Sequence, residues 1–180
     1  MPQITSPSKY ILEIKISYIN RMGENPVNIL TNHEYYKVEK IIEQIKPFWT
    51  KYDSLSEKDM MLLESNFTHR FPEDMKEFFL WSNGGAGKFH NIYISLWPLE
   101  EIKELNDGYL INHYLGEQFM AFGSDGGPIC FLLDYRNPEH IRISSVNFGD
   151  LDIAEVKQIA ISFDVFLELA GNGEIISNNL

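Results

Sequence analysis

Phe71-Pro72-Glu73-Asp74-Met75-Lys76-Glu77-Phe78-Phe79-Leu80-Trp81-Ser82-Asn83-Gly84-Gly85 carries the start of a helix, its buried face and the turn that ends it. Proline near the start fixes φ at the helical value where its missing N–H costs nothing, and Glu73 and Asp74 sit where the helix dipole favours negative charge. Met75, Phe78, Phe79 and Ser82 recur at the spacing of one buried face, with Trp81 beside it. Asn83-Gly84 is the stop, since glycine enters the left-handed conformation of a helix C-cap without steric cost. These residues are core and cap, and they carry no chemistry of their own.

Working outward, Ser56-Glu57-Lys58-Asp59 is a capping box with aspartate in third place. Met60, Leu63 and Phe67 follow at helical period, which predicts a helix over 57–67. Thr31-Asn32-His33-Glu34 opens another over 32–46, with Val38, Ile41, Ile42 and Ile45 on one face and Pro47 just past its end. Lys88–Trp97, Phe119–Gly123, Ile129–Tyr135 and His140–Asn147 are rich in β-branched and aromatic residues and bounded by turn formers. They are expected as four strands, the last three forming a meander. Residues 98–106 are helical, with Leu99, Ile102 and Leu105 apolar. Asp152-Ile153-Ala154-Glu155 caps a helix with Val156, Ile159, Ala160 and Phe163 on its face. Ser162 can cap a second turn into Phe166, Leu167 and Ala170, so a kinked or split terminal helix is expected. Tyr10–Ile19 alternates Leu12, Ile14, Ile16 and Tyr18 with polar residues, a half-buried strand that adds an edge to the domain or pairs with another chain. The fold class is α+β: a single domain with a predominantly antiparallel sheet of four to six strands, packed with N-terminal and C-terminal helices.

Five segments in order resemble the SUKH superfamily (Smi/Knr-type). They are the 71–85 stretch, Leu96-Trp97-Pro98-Leu99-Glu100-Glu101-Ile102, Phe119-Met120-Ala121-Phe122-Gly123-Ser124-Asp125-Gly126-Gly127, Phe148-Gly149-Asp150, and Ser162-Phe163-Asp164-Val165-Phe166-Leu167. The likeness covers roughly residues 54 to 168. It implies that residues 51–180 form the SUKH-like domain, with 1–50 as an N-terminal extension holding a strand and a helix. It also implies structural motif roles for Trp81, Asn83, Gly84, Gly85, Trp97, Gly123, Asp125, Gly126, Gly127, Gly149, Asp150, Phe163, Phe166 and Leu167. Bacterial members are mostly immunity proteins that bind and neutralise a cognate toxin; fungal members regulate cell-wall synthesis. The resemblance therefore implies a non-enzymatic partner-binding protein, with a regulatory interaction scaffold as the alternative.

Composition narrows the rest. The chain of 180 residues is 44% hydrophobic, enough for one core without disulfide or metal staples. Cys130, the single cysteine, lies in an apolar strand pattern and reads as a small buried hydrophobe in a reducing compartment. No run has the length of a membrane span, and the first residues lack the features of a signal peptide, so a cytoplasmic protein is expected. The formal net charge is −11. The first fifty residues hold six Lys and Arg against five Asp and Glu, leaving nine against twenty-one in the remainder. Such a domain repels nucleic-acid phosphates.

Gly84-Gly85-Ala86-Gly87-Lys88 follows a helix and precedes a strand, the reverse of a nucleotide-binding loop. The five histidines lack zinc spacing, and 147–152 lacks the calcium-loop pattern. No nucleophile is paired with a base, so no catalytic residue, cofactor or metal is expected. Glu100, Glu101, Glu104 and Asp107, with Asp125 and Asp134 at the turn and strand end of the meander, are the densest acid of the domain. They are the expected surface for a basic protein toxin, against the alternative of a solvated face. A monomer or weak dimer fits either.

Overall fold

The computed structural model describes residues 37–175 and residue 180. The strand expected at 10–19 and the start of the helix expected at 32–46 lie outside the described residues. Residues 37–45 are helical (α1) and bury Val38, Ile41, Ile42 and Ile45 in the same apolar cluster as Phe78. A 3-10 turn, Lys46–Phe48, leads into strand β1 (Trp49–Lys51). Helices α2 (Glu57–Glu64) and α3 (Glu73–Trp81) precede the hairpin β2 (Gly85–Phe89) and β3 (Ile92–Leu96). Helices α4 (Leu99–Gly108) and α5 (Ile111–Leu115) come next. Then follow β4 (Phe119–Ser124), β5 (Ile129–Asp134), β6 (Arg142–Asn147), β7 (Lys157–Ala160) and helix α6 (Phe163–Gly171). The architecture is α+β, and among the described residues the sheet is antiparallel with seven strands in sequence order, more strands than expected.

Alternation of side chains divides the core between the two faces of this sheet. On one face Phe122, Phe131, Leu133 and Ile143 meet Phe78 and Phe79 of α3 and Phe163, Phe166 and Leu167 of α6. The rings interlock with centroids 5.5 Å apart for Phe78 and Phe163, and 5.0 Å for Phe131 and Phe166. These are the separations of favourable edge and tilted aromatic pairs. On the other face Ile111 and Leu115 of α5 cover Phe119, Ala121, Cys130, Leu132 and Val146. Strand β5 is consequently buried along its whole length, and desolvation pushes the Cys130 thiol far above its usual range.

Several elements depart from the sequence expectation: β1 and α5 have no counterpart in it, and α2 ends at Glu64 rather than at 67. Lys88–Trp97 is not one strand, because the chain reverses at His90 and Asn91, His90 taking φ +38. The glycine-rich segment before it is itself strand β2, paired with β1 and β3. Trp49 explains why glycine belongs there: a Cβ on Gly85 would lie 2.6 Å from the indole Nε1, and one on Gly87 2.9 Å from Cε3. The indole occupies the space that side chains would need. Last, residues 153–160 are not helical. Asp152 Oδ1 accepts from Ala154 N at 2.8 Å to cap a single 3-10 turn, Ile153–Glu155. The chain then runs out as β7, satisfying the free edge of β6. Only at Phe163 does the terminal helix begin.

Asn106 solves a local problem in the sheet. Strand β3 pairs with β4 only at Ser95 and Leu96, leaving the peptide groups of Ala121 without a strand partner on that side, next to a register shift. The buried Asn106 side chain supplies one: Nδ2 donates to Ala121 O at 2.8 Å, and Oδ1 accepts from Ala121 N at 2.9 Å. Replacing it by an apolar isostere strands a buried donor and a buried acceptor. Asn106→Leu should therefore cost ~2–4 kcal/mol in urea unfolding, and a loss below about 0.5 kcal/mol would show that the amide is dispensable.

Two glycines should respond unequally to a methyl group. Gly84 has φ +79, and a Cβ there would lie 2.6 Å from Leu96 O and 2.9 Å from Pro98 N, both backbone. Gly126 has φ +74, but its Cβ would meet only the half-exposed Tyr93 ring, which can swing aside. Gly126→Ala should lose ~1–2 kcal/mol from the left-handed conformation alone; Gly84→Ala should lose more. The reverse order of denaturation midpoints would contradict this assignment.

Candidate functional site

The Ser82-Asn83-Gly84-Gly85 turn is a polar junction among four elements. Ser82 Oγ accepts from Trp49 Nε1 and from Tyr52 N, each at 3.2 Å, and donates to Gly84 O at 2.6 Å. Asn83 Oδ1 accepts from Leu99 N at 2.9 Å, and its Nδ2 donates to Glu100 Oε2 at 2.7 Å. Helix α4 has proline at its N-cap and hence no cap of its own. Asn83 supplies the missing acceptor from the turn that ends α3.

The six acids expected to face a partner separate into two groups. Glu101, Glu104 and Asp107 stand exposed on α4, as does Glu100, which is tied to Asn83. Glu104 and Asp107 fall in the last turns of α4, where the helix dipole is negative and the final turn holds no basic residue. Asp125, by contrast, is committed to its turn: Oδ1 accepts from Gly127 N at 2.8 Å and Ile129 N at 3.0 Å. Asp134 departs from the expectation of exposure. It is 4% exposed and holds Arg136 in a two-oxygen pair, with Nη2 at 2.7 Å from Oδ2 and Nε at 3.0 Å from Oδ1. Burial alone would raise its pKa, but the Arg136 hydrogen bonds outweigh that and bring it below the usual carboxylate range. Arg136 in turn lies 5.0 Å over the Phe119 ring.

Sequence patterning overlooked an aromatic stack beside α4. The Tyr109 ring stacks on Trp97, with centroids 6.0 Å apart and planes at 10°, and on Phe148 at 4.4 Å. Tyr109, Leu110 and Tyr114 are 45%, 50% and 51% exposed. Leu110 takes φ +56, a left-handed conformation that costs a branched apolar residue free energy. Trp97 and Phe148 each lie in one of the family-like segments, so the signal was present, but their meeting through Tyr109 depends on the tertiary fold. Asp107 borders a nearby cleft of about 130 Å³, lined also by His69, Lys103, Asn112 and Glu117.

The family model described as SMI1 / KNR4 family (SUKH-1) matches residues 54–169. The chain belongs to the SMI1 / KNR4 family. No curated protein matches it in sequence. The SUKH-1 match spans α2 to α6 and six of the seven strands; β1, whose Trp49 fills the space over the β2 glycines, precedes it. Within the described residues of this SUKH-1 chain, no group of three or more His, Cys, Asp or Glu could hold a metal ion. Nor is any described helix long and apolar enough to cross a membrane.

The SUKH-1 fold also brings two carboxylates together at the start of α6. Asp74 Oδ2 accepts from Asp164 N at 2.9 Å, so the first turn of α3 caps α6. Asp164 in turn pairs with Lys37 Nζ at 2.6 Å and receives the Ser162 hydroxyl. Burial, and then the charge of Asp164, push Asp74 from 3.8 up to about 6. Burial acts the same way on Asp164, but Lys37 and Ser162 hold it below the usual range. A carboxyl raised in the folded state binds more protons folded than unfolded between the two values, so its contribution improves as pH falls from 7 toward 4. Asp74→Asn should remove that slope and gain ~1–2 kcal/mol at pH 7. Urea unfolding at a series of pH values tests it, and parallel curves for the two proteins would refute the assignment.

Proposed function

We propose that this chain is a non-enzymatic immunity protein that binds a protein toxin in the cytoplasm and occludes its working surface. Membership of the SUKH-1 family over residues 54–169 carries the proposal. The charge supports a basic target: the chain has a net −11, and no lysine or arginine occurs from Glu104 to Tyr135 or from Ile143 to Val156. Toxins that attack nucleic acids need cationic clefts, and an acidic surface meets such a cleft quickly through long-range attraction. Neutralisation by occlusion requires only a rigid surface.

The test is co-expression with the toxin domain encoded immediately upstream of the gene, followed by titration of the purified pair. Cells should survive only with both proteins, and toxin activity should fall linearly to zero at one equivalent. Inactivation at well below one equivalent would mean turnover and hence an enzyme, and death of co-expressing cells would refute neutralisation of that toxin. Association that slows as salt rises identifies a basic target, while a salt-independent rate excludes one.

A further inference from the structure

We infer that the aromatic stack of Trp97, Tyr109 and Phe148, with Leu110 and Tyr114 beside it, is the docking surface, and that it receives arginine side chains from a basic protein partner. This rests on the binding function proposed above and goes beyond it by naming the surface and the chemistry it recognises.

Aromatic rings that serve only the core are buried, as Phe78, Phe122 and Phe166 are. Tyr109 is ordered by stacking on two rings and still leaves 45% of its surface exposed, and the next residue, Leu110, presents half of its apolar surface from a strained backbone. Tyrosine and tryptophan held rigid at the surface give contact area at little cost in side-chain entropy, which is why they dominate binding hot spots.

The charge around the stack selects the occupant. Asp107 lies two residues before Tyr109 and Asp150 two after Phe148, both exposed, and Glu104 stands one turn back on α4. The basic groups of the local segments are Lys103 and His113, the latter packed edge-on against Tyr114. Helix α4 ends here with its negative dipole unopposed. Arginine fits both halves of this environment, because its planar guanidinium lies flat on aromatic rings while its N–H fork reaches carboxylates. Lysine brings the charge but not the planar fork that can stack and reach carboxylates at once.

The probes are hexa-arginine and hexa-lysine amides, titrated into the isotope-labelled full chain at low salt. Hexa-arginine should shift the amides of Tyr109, Leu110 and Phe148 first and bind about fivefold tighter than hexa-lysine. Tyr109→Ala should weaken it roughly tenfold with an unchanged fold by amide spectrum. Leu110→Gly should raise the melting temperature by ~2–4 °C through relief of the left-handed leucine while weakening binding, a combination that a purely structural role cannot give. Asp59→Asn, an exposed acid on α2, serves as the control and should leave hexa-arginine binding unchanged.

Equal affinity for the two peptides, shifts spread evenly over the acidic surface, or an unaffected Tyr109→Ala protein would overturn the assignment. The toxin of the previous section separates the two proposals. If the wild-type chain ignores it yet binds hexa-arginine at Tyr109, the immunity function falls and the surface stands. If Tyr109→Ala binds the toxin as tightly as wild type, the surface falls and immunity stands.

Discussion

The Asn83 side chain is the interaction on which the arrangement of this domain depends. One amide takes the N–H of Leu99 and gives its own N–H to Glu100, so the end of α3 is bonded directly to the start of α4. Gly84, next to it, passes so close to Leu96 O and Pro98 N that no side chain could sit there. Ser82, one residue before, collects Trp49 and Tyr52 from the opposite edge. Three consecutive small or polar residues thereby fix where the hairpin leaves the helix and where the next helix begins. The placement of α4, and with it Tyr109, follows from that turn.

Much of this was legible in the residues alone. The aromatic face of α3, the Asn-Gly stop and the β4–β6 meander follow from local periodicity and turn chemistry, which act over a few residues. What escaped was decided by distant partners. Gly85 and Gly87 read as a cap running on into a strand, and only Trp49, laid across them, shows why both positions are glycine. Residues 153–160 have a helical repeat of apolar positions, yet β6 offered a row of unpaired peptide groups, and pairing prevailed over periodicity. The reversal at His90 uses neither glycine nor proline and so gave no signal.

The acids teach a related lesson. Counting charges along the sequence treats each carboxylate alike, but the fold gives them different occupations. Asp134 is neutralised by Arg136, Asp125 is a turn element, and Asp74 and Asp164 splice two helices. Sequence reasoning grouped Asp125 and Asp134 with the α4 acids because spacing cannot reveal what a side chain is bonded to. Of the six acids grouped by spacing, the four left standing exposed are those of α4.

The nearest-neighbour order of the strands has a consequence for synthesis. Each hairpin can zip as soon as it has left the ribosome, since every strand pairs with the one made just before it. The aromatic layer cannot close in the same way. Phe78 is made well before its partner, since it packs against Phe163 of α6, which also seals Phe122 and Phe131 through Phe166. A nascent chain thus carries a paired sheet with one oily face open until α6 emerges, and α6 acts as the latch that turns a stack of hairpins into a globule.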